Sequence, residues 1–182
     1  MTTTLWLTGL PSSGKSTLGR ELVARYQGQR AVQHLDGDAI RREFFPELGF
    51  AKEDRIENVR RIGRLAAMLA AQDVLVVVSV IAPFRSARAE VRELHERAGL
   101  TFVEVHVHAP VEVCAERDVK GLYAKAERGE VPGMTGVSDV YEAPTTPEVR
   151  VDTSEYGVDQ CLELIDRALR RAEQDSRAVV LR

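Results

Sequence analysis

The chain has 182 residues, of which 44% are hydrophobic and 29% charged, with a formal net charge of -3. That balance suits one globular domain with enough chain to bury a core, and it excludes a disordered polymer. No block of five or more like charges occurs, so the chain lacks the basic footprint of a nucleic-acid binder.

Residues 5–8 form a short apolar run that ends at Gly9 and reads as a buried parallel strand. A helical pattern follows over 16–26, with Leu18, Leu22 and Val23 on one side. Residues 31–35 make a second strand, stopped by Asp36-Gly37-Asp38. The clearest helix spans 53–71, where Ile56, Val59, Ile62, Leu65, Ala66 and Leu69 recur at three- and four-residue steps. Arg55, Asn58 and Arg61 fall off that face and are free to meet something polar.

The run VLVVVSVI over 74–81 has the unbroken apolarity of a central parallel strand covered on both faces. A helix over 86–98 and a strand over 101–107 come next. A further helix covers 111–117, with Pro110 at its first turn. Residues 128–147 hold most of the glycines and prolines of the C-terminal half and read as a long mobile loop. A short strand at 149–151 and an amphipathic helix over 158–172 close the pattern. The tail, about 173–182, is expected to be loose. Strands alternating with helices predict an α/β fold with a parallel sheet and right-handed crossovers, in a single domain over 1–182.

Cys114 and Cys161 lie in unrelated segments with no metal-like spacing, which points to reduced, buried thiols in a cytoplasmic protein. The N-terminus lacks a basic region ahead of its apolar run, and no stretch is long enough to span a bilayer. The four histidines show no metal-like cluster and are read as structural.

The strongest chemical signal is Gly9-Leu10-Pro11-Ser12-Ser13-Gly14-Lys15-Ser16, followed by Thr17. It fits GxxxxGK[ST] between a strand and a helix, the context that a P-loop requires. Gly9 and Gly14 let the backbone wrap closely round phosphates. Backbone N–H groups and the helix N-terminus add positive potential. Lys15 can bridge the β- and γ-phosphates of ATP, and Ser16 can ligate Mg²⁺. This makes the fold a P-loop NTPase-type three-layer α/β arrangement, with helices on both faces of the sheet. The motif alone does not separate a kinase from a GTPase, an ATPase or a sulfotransferase-like binder, although no NKxD guanine-reading sequence is present.

Asp36 and Asp38 stand at the carboxyl end of a strand, where ligands of open parallel sheets collect. They can position an acceptor hydroxyl, take its proton or hold a metal-bound water. The competing reading is a turn with Asp38 as the helix N-cap. Arg41, Arg55, Asn58, Arg60 and Arg61, with Phe50, form a basic and aromatic group suited to an anionic nucleotide, though arginines on helices are commonly solvated. Ala82-Pro83-Phe84 follows the central strand, and Arg117 precedes the basic segment Lys120-Gly121-Leu122. A mobile basic segment over phosphates is the usual build of a kinase lid, here about 117–147.

With those residues in view, the chain resembles the adenylyl-sulfate kinase family. The likeness runs over residues 5–153 and rests on ordered segments: WLTGLPSSGKST, LDGD, LGF, DRIENVRRIG, APFRSAR, FVEVHV, VEVCAERDVKGLYAKA, GMTGV and YEAPTTPEV. The resemblance implies phosphorylation of the 3′-hydroxyl of adenylyl sulfate by MgATP. Gly9 to Thr17 would bind the ATP phosphates, with Ser16 and Asp36 at the metal and Arg117 near the ATP adenine. Asp38 would meet the acceptor hydroxyl. Arg41, Arg55 and Asn58 would hold the acceptor's ribose and phosphosulfate side, against a wall from Ala82, Pro83 and Phe84. Phe50 would stack on its adenine. Lys120, Gly121 and Leu122 would belong to the lid. Family members are commonly homodimers. Three positions depart from the family pattern: Ala39 for Asn, Ala82 for Ser, and Met134 for the Phe that forms the second side of the adenine clamp. These departures leave open a relative acting on another nucleotide-like acceptor, and a nucleotide-binding regulator without turnover is a third reading.

Overall fold

A computed structural model describes residues 2–131 and 133–180. Five strands form one wholly parallel sheet in the order β2-β3-β1-β4-β5: β1 (Thr3–Thr8), β2 (Val32–Asp36), β3 (Leu75–Ser79), β4 (Thr101–His108) and β5 (Val149–Asp152). Seven helices surround it: α1 (Lys15–Tyr26), α2 (Gly37–Phe44), α3 (Lys52–Ala70), α4 (Arg85–Arg97), α5 (Val111–Arg117), α6 (Leu122–Glu127) and α7 (Val158–Val180).

β1 is central because every one of its residues is buried and it pairs on both sides, with Leu5 opposite Val77 and Val103. The two-residue period of a strand sends its side chains to opposite faces. Trp6 joins Val76, Val78 and Phe102 beneath α3 and α4, while Leu5 and Leu7 join Leu75, Val77 and Val105 beneath α1 and α7. Each such fully buried aliphatic side chain contributes roughly 1.5–3 kcal/mol. Two cores on either side of one sheet are the three-layer architecture that the alternating pattern predicts.

The elements read from the sequence are present, with ends shifted by at most two residues except at the C-terminus of the last helix. Two helices are additional. The expected turn at 36–38 opens α2, and part of the basic segment folds as α6. The expected loose tail is corrected over 173–180: α7 continues to Val180, and it is tied down by Thr3 Oγ1 donating to Glu173 and by a Thr101–Ser176 hydroxyl pair. Residues 181–182 lie outside the described residues. His95 is fully buried between Val91 O and Thr4 Oγ1, and burial lowers its pKa. Both cysteines are free and buried. Among the described residues no helix is long and apolar enough to cross a membrane.

Candidate nucleotide and acceptor site

The loop after β1 wraps tightly because one glycine has no room for a side chain and another takes a backbone conformation that side chains disfavour. A Cβ on Gly9 would lie 2.2 Å from Val107 O, and Gly14 adopts φ +100° as the N-cap of α1. Ser12 also stands at positive φ, +61°. A non-glycine residue there costs about 1–3 kcal/mol and is typical of a binding loop. Lys15 is 8% exposed, and its Nζ donates to Leu10 O at 2.6 Å across the loop. Burial pushes its pKa down to about 8, against the opposing pull of Asp38 and other neighbours.

β2 delivers Asp36 to the mouth of this loop. Its Oδ2 accepts from Ser16 Oγ at 2.6 Å, and its Oδ1 accepts from the backbone N–H groups of Asp38 and Ala39 at 3.1 and 3.3 Å. Asp36 is therefore the N-cap of α2, the place that the sequence reading gave to Asp38. Burial raises the Asp36 carboxyl, but the donors from Ser16, Ala39 and Asp38 outweigh it and hold the pKa below the usual carboxylate range. Asp38 sits inside the first turn of α2, exposed, where its carboxylate meets Lys120 Nζ in an ion pair.

Two cavities of about 540 and 500 Å³ open on either side of Asp38. The first is lined by Pro11, Ser12, Gly14, Lys15, Ser16 and Thr17 of the loop, together with Asp36, Arg117 and Lys120. The second is lined by Arg41, Phe50, Arg55, Asn58, Ala82, Pro83 and Met134. Asp38, Pro11, Phe50 and Leu122 border both. Nearly all the residues singled out from the sequence thus converge from separate segments onto two adjoining spaces.

Five, Phe84, Gly9, Leu10, Ser13 and Gly121, do not face the cavities in the expected way. Phe84 is a correction: its ring is 6% exposed in the core under α3 and α4 and lines neither cavity. Gly9, Ser13 and Gly121 also line neither. Gly9 shapes the loop, Gly121 (φ +64°) caps α6, and the Ser13 carbonyl accepts from Thr153. Leu10 packs beneath the lid segment against the cluster of Tyr123 and Met134. Arg60 and Arg61 are surface arginines, paired with Glu90 and with Glu47 and Glu57.

The second cavity has a largely apolar lining with a few polar groups set into it. Asn58 is 6% exposed, and its Oδ1 has no partner within the protein. A buried amide oxygen without a donor is costly and points to a ligand that supplies one. Arg41 stacks over Phe50, 4.3 Å from the guanidinium carbon to the ring centroid, while Phe50 itself is 73% exposed. Arg55 reaches across to the lid segment, donating to Thr135 Oγ1 at 2.7 Å, Asp139 Oδ2 at 3.1 Å and Gly133 O. Met134 is 4% exposed, with its carbonyl accepting from the backbone N–H groups of Val137, Ser138 and Asp139.

The sequence reading missed Thr153, Tyr156 and Cys161, which line the far end of the first cavity. Thr153 Oγ1 donates to Ser13 O at 2.8 Å and accepts from Arg117 Nη1 at 2.9 Å, so it fixes Arg117 against the loop. The available signal was their place: they follow the carboxyl end of β5, where parallel sheets gather ligands. The lid segment is also more ordered than a bare loop. Asp118 accepts from the N–H groups of Tyr123 and Ala124 at 3.0 Å, and Tyr123 OH donates to Pro11 O at 3.2 Å.

The sequence profile of one family, adenylylsulphate kinase, matches residues 1–152. The chain belongs to the adenylylsulphate kinase family. The adenylyl-sulfate kinase of Myxococcus xanthus (strain DK1622) is 52% identical over 165 residues, which is 88% of this chain and 89% of that protein. That of Synechococcus sp. (strain JA-3-3Ab) is 46% identical over 168 residues, 92% and 93% of the two chains. The solved structure of the Mycobacterium tuberculosis APS kinase CysC in complex with AMPPNP and APS superposes with a TM-score of 0.88 at 36% identity, covering 92% of this chain and 97% of that one. The five-stranded parallel sheet is thus the adenylylsulphate kinase fold, and the family's members are ATP-dependent kinases. For an adenylylsulphate kinase, two cavities meeting at one carboxylate are the geometry that the reaction requires, because donor and acceptor must face each other across the transferred group.

Proposed function

We propose that this chain transfers the γ-phosphoryl group of ATP to the 3′-hydroxyl of adenylyl sulfate, giving 3′-phosphoadenylyl sulfate and ADP. The observation that carries the reading is the meeting of the two cavities at Asp38. ATP phosphates fill the first cavity over the N-terminus of α1, and the acceptor lies in the second.

The chain's own groups account for the steps. Lys15 leaves its internal contact with Leu10 O for the β- and γ-phosphates, where the anionic ligand restores a full charge to its ammonium. Asn58 offers its free amide oxygen to an acceptor hydroxyl. Arg41 and Arg55 offset the acceptor's negative charge. Phe50 presents an open aromatic face to its base, and Met134 covers the other side. Asp38 receives the 3′-hydroxyl hydrogen bond and takes the proton as the new P–O bond forms and the bond from the γ-phosphorus to the β-γ bridging oxygen breaks. Lys120 must release Asp38 for this, and closure of the lid over 117–147 excludes water that would hydrolyse ATP.

Ser16 and Asp36 suit Mg²⁺: two hard oxygen ligands lie together at the phosphate end, and one is held ionised. Among the described residues no group of three or more His, Cys, Asp or Glu side chains gathers, which fits an ion that relies on phosphates and water for its remaining ligands. When bound, Mg²⁺ offsets charge on the β- and γ-phosphate oxygens. A single kinase domain over 1–182, a cytoplasmic location and a homodimer complete the proposal.

The test is ADP release by the purified protein with MgATP, with and without adenylyl sulfate. Strong stimulation with a 3′-phosphorylated product is expected. Stimulation by a different nucleotide in place of adenylyl sulfate supports the second reading, which Met134 and Ala39 favour.

A further inference from the structure

Three consecutive carbonyls of the acceptor wall are each held from behind. Ile81 O accepts from Thr8 Oγ1 at 2.6 Å, Ala82 O accepts from Arg88 Nη1 at 2.6 Å, and Pro83 O accepts from the backbone N–H of Glu142 at 2.9 Å. Thr8 has one proton and gives it to Ile81 O, so it receives the 3.1 Å bond from Tyr141 OH. Ala82 sits at φ +45°, a conformation that an alanine adopts only when its surroundings impose it.

Arg88 is the side chain that holds the Ala82 carbonyl itself. It is 3% exposed, and all three faces of its guanidinium are used. Nη1 goes to Ala82 O, Nη2 donates to Glu142 O at 2.7 Å, and Nε donates to Glu104 Oε1 at 2.7 Å. Glu104 comes from β4, and it is itself approached by Arg92 at 3.6 Å. Glu142 belongs to the segment that leads out of the lid and is laced to the wall a second time, by Arg85 N–H donating to its carboxylate at 2.8 Å. One planar fork therefore joins the acceptor wall, the root of the lid and the sheet. Its rigidity makes a lysine a poor replacement.

We infer that Arg88 is a positioning residue for the acceptor: it sets the Ala82-Pro83 wall of the second cavity and locks that wall to the lid root at Glu142, without touching either substrate. The inference rests on the proposed transfer to adenylyl sulfate. Charge alone does not explain the contacts, because two of the three partners are neutral carbonyls placed to match the fork.

The experiment compares wild type with Arg88→Lys, Arg88→Gln and Glu104→Gln, measuring KM separately for adenylyl sulfate and for ATP. Both Arg88 variants are expected to raise the adenylyl sulfate KM by at least about fivefold while the ATP KM stays within about twofold. Glu104→Gln keeps an amide oxygen for Nε–H and is expected to lower stability with the adenylyl sulfate KM within about twofold. An unchanged acceptor KM in Arg88→Lys overturns the inference, as does a parallel rise in both KM values or an equal rise in Glu104→Gln. If neither Arg88 variant folds, hydrogen exchange on the wild type decides. Adenylyl sulfate is expected to slow residues 82–85 and 141–143 together, and slowing confined to 82–85 overturns the coupling. A wild type without adenylyl sulfate turnover defeats the proposed function instead, so the two failures are distinct.

Discussion

Ser16 Oγ donates to Asp36 Oδ2 at 2.6 Å, joining the first turn of α1 to the carboxyl end of β2. The same carboxylate caps α2, so one side chain holds the phosphate loop and the helix that carries Asp38 in register. Asp36→Ala should cost about 1 kcal/mol through the lost cap. Ser16→Ala should leave stability nearly unchanged. Both should raise the Mg²⁺ concentration for half-maximal turnover by roughly 10- to 100-fold. Mg²⁺ titrations of initial rate, beside urea unfolding curves, check the pair; a Ser16→Ala enzyme with an unchanged Mg²⁺ requirement removes Ser16 from the metal site.

Lys15→Ala should lower turnover by roughly 10²- to 10³-fold with the fold intact, because the ammonium acts on charge that develops during transfer. A pH dependence accompanies it. Burial lowers the Lys15 pKa to about 8 in the free enzyme, so deprotonation above that value removes the charge that attracts ATP. The kcat/KM for ATP should fall as pH rises through about 8, and Lys15→Arg should abolish that break. A flat profile to pH 9.5 in the wild type would exclude this assignment.

Asp38 is exposed, its carboxylate pairs with Lys120, and the capping of α2 is done by Asp36 instead. Asp38→Asn should therefore reduce kcat by roughly 10²- to 10⁴-fold with a small effect on ATP affinity. Single-turnover rates and equilibrium nucleotide binding separate the two. A loss of ATP binding as large as the loss of rate would make Asp38 a binding group.

Phe50 contributes little to the core at 73% exposure. Phe50→Ala should leave the melting temperature close to wild type and weaken the acceptor by about 1–3 kcal/mol, a stacking-sized loss. Met134→Phe tests the opposite wall, where a rigid ring should lower the adenylyl sulfate KM if the base lies between these two residues. Steady-state kinetics with varied adenylyl sulfate read both.

His106 is 7% exposed and its pKa is pushed down to about 4, chiefly by burial, with His108, Arg150 and Arg88 adding repulsion. An unfolded histidine titrates near 6.5. The folded state resists the proton that the unfolded chain accepts, so stability is complete above about pH 6.5 and falls as pH drops toward 4. The loss attributable to this residue is at most about 3 kcal/mol. Urea unfolding at pH 7 and pH 5 should differ less in His106→Gln than in wild type.

Much of the molecule was written locally. The strand at β1, the GxxxxGK[ST] loop and the start of α1 are contiguous, and each has its own signal: apolar run, glycines, helical period. The unbroken apolar run of β3 identified a covered central strand for the same reason. Ordered segments from WLTGLPSSGKST to YEAPTTPEV were enough for the family. What the sequence left open was decided by contacts between distant residues. Asp36 rather than Asp38 became the cap because Ser16, 20 residues earlier, turns the Asp36 carboxylate toward the backbone of α2. Phe84 went into the core because, at the N-cap of α4, its ring packs with the cluster of Trp6, Val78 and Phe102. Thr153 and Tyr156 joined the nucleotide cavity only when β5 paired beside β4. The tail became helix because Glu173 and Ser176 found Thr3 and Thr101. Arg88 shows the limit most plainly: in the sequence it is one of several arginines on a helix, and only the fold brings Ala82, Glu142 and Glu104 within reach of a single guanidinium.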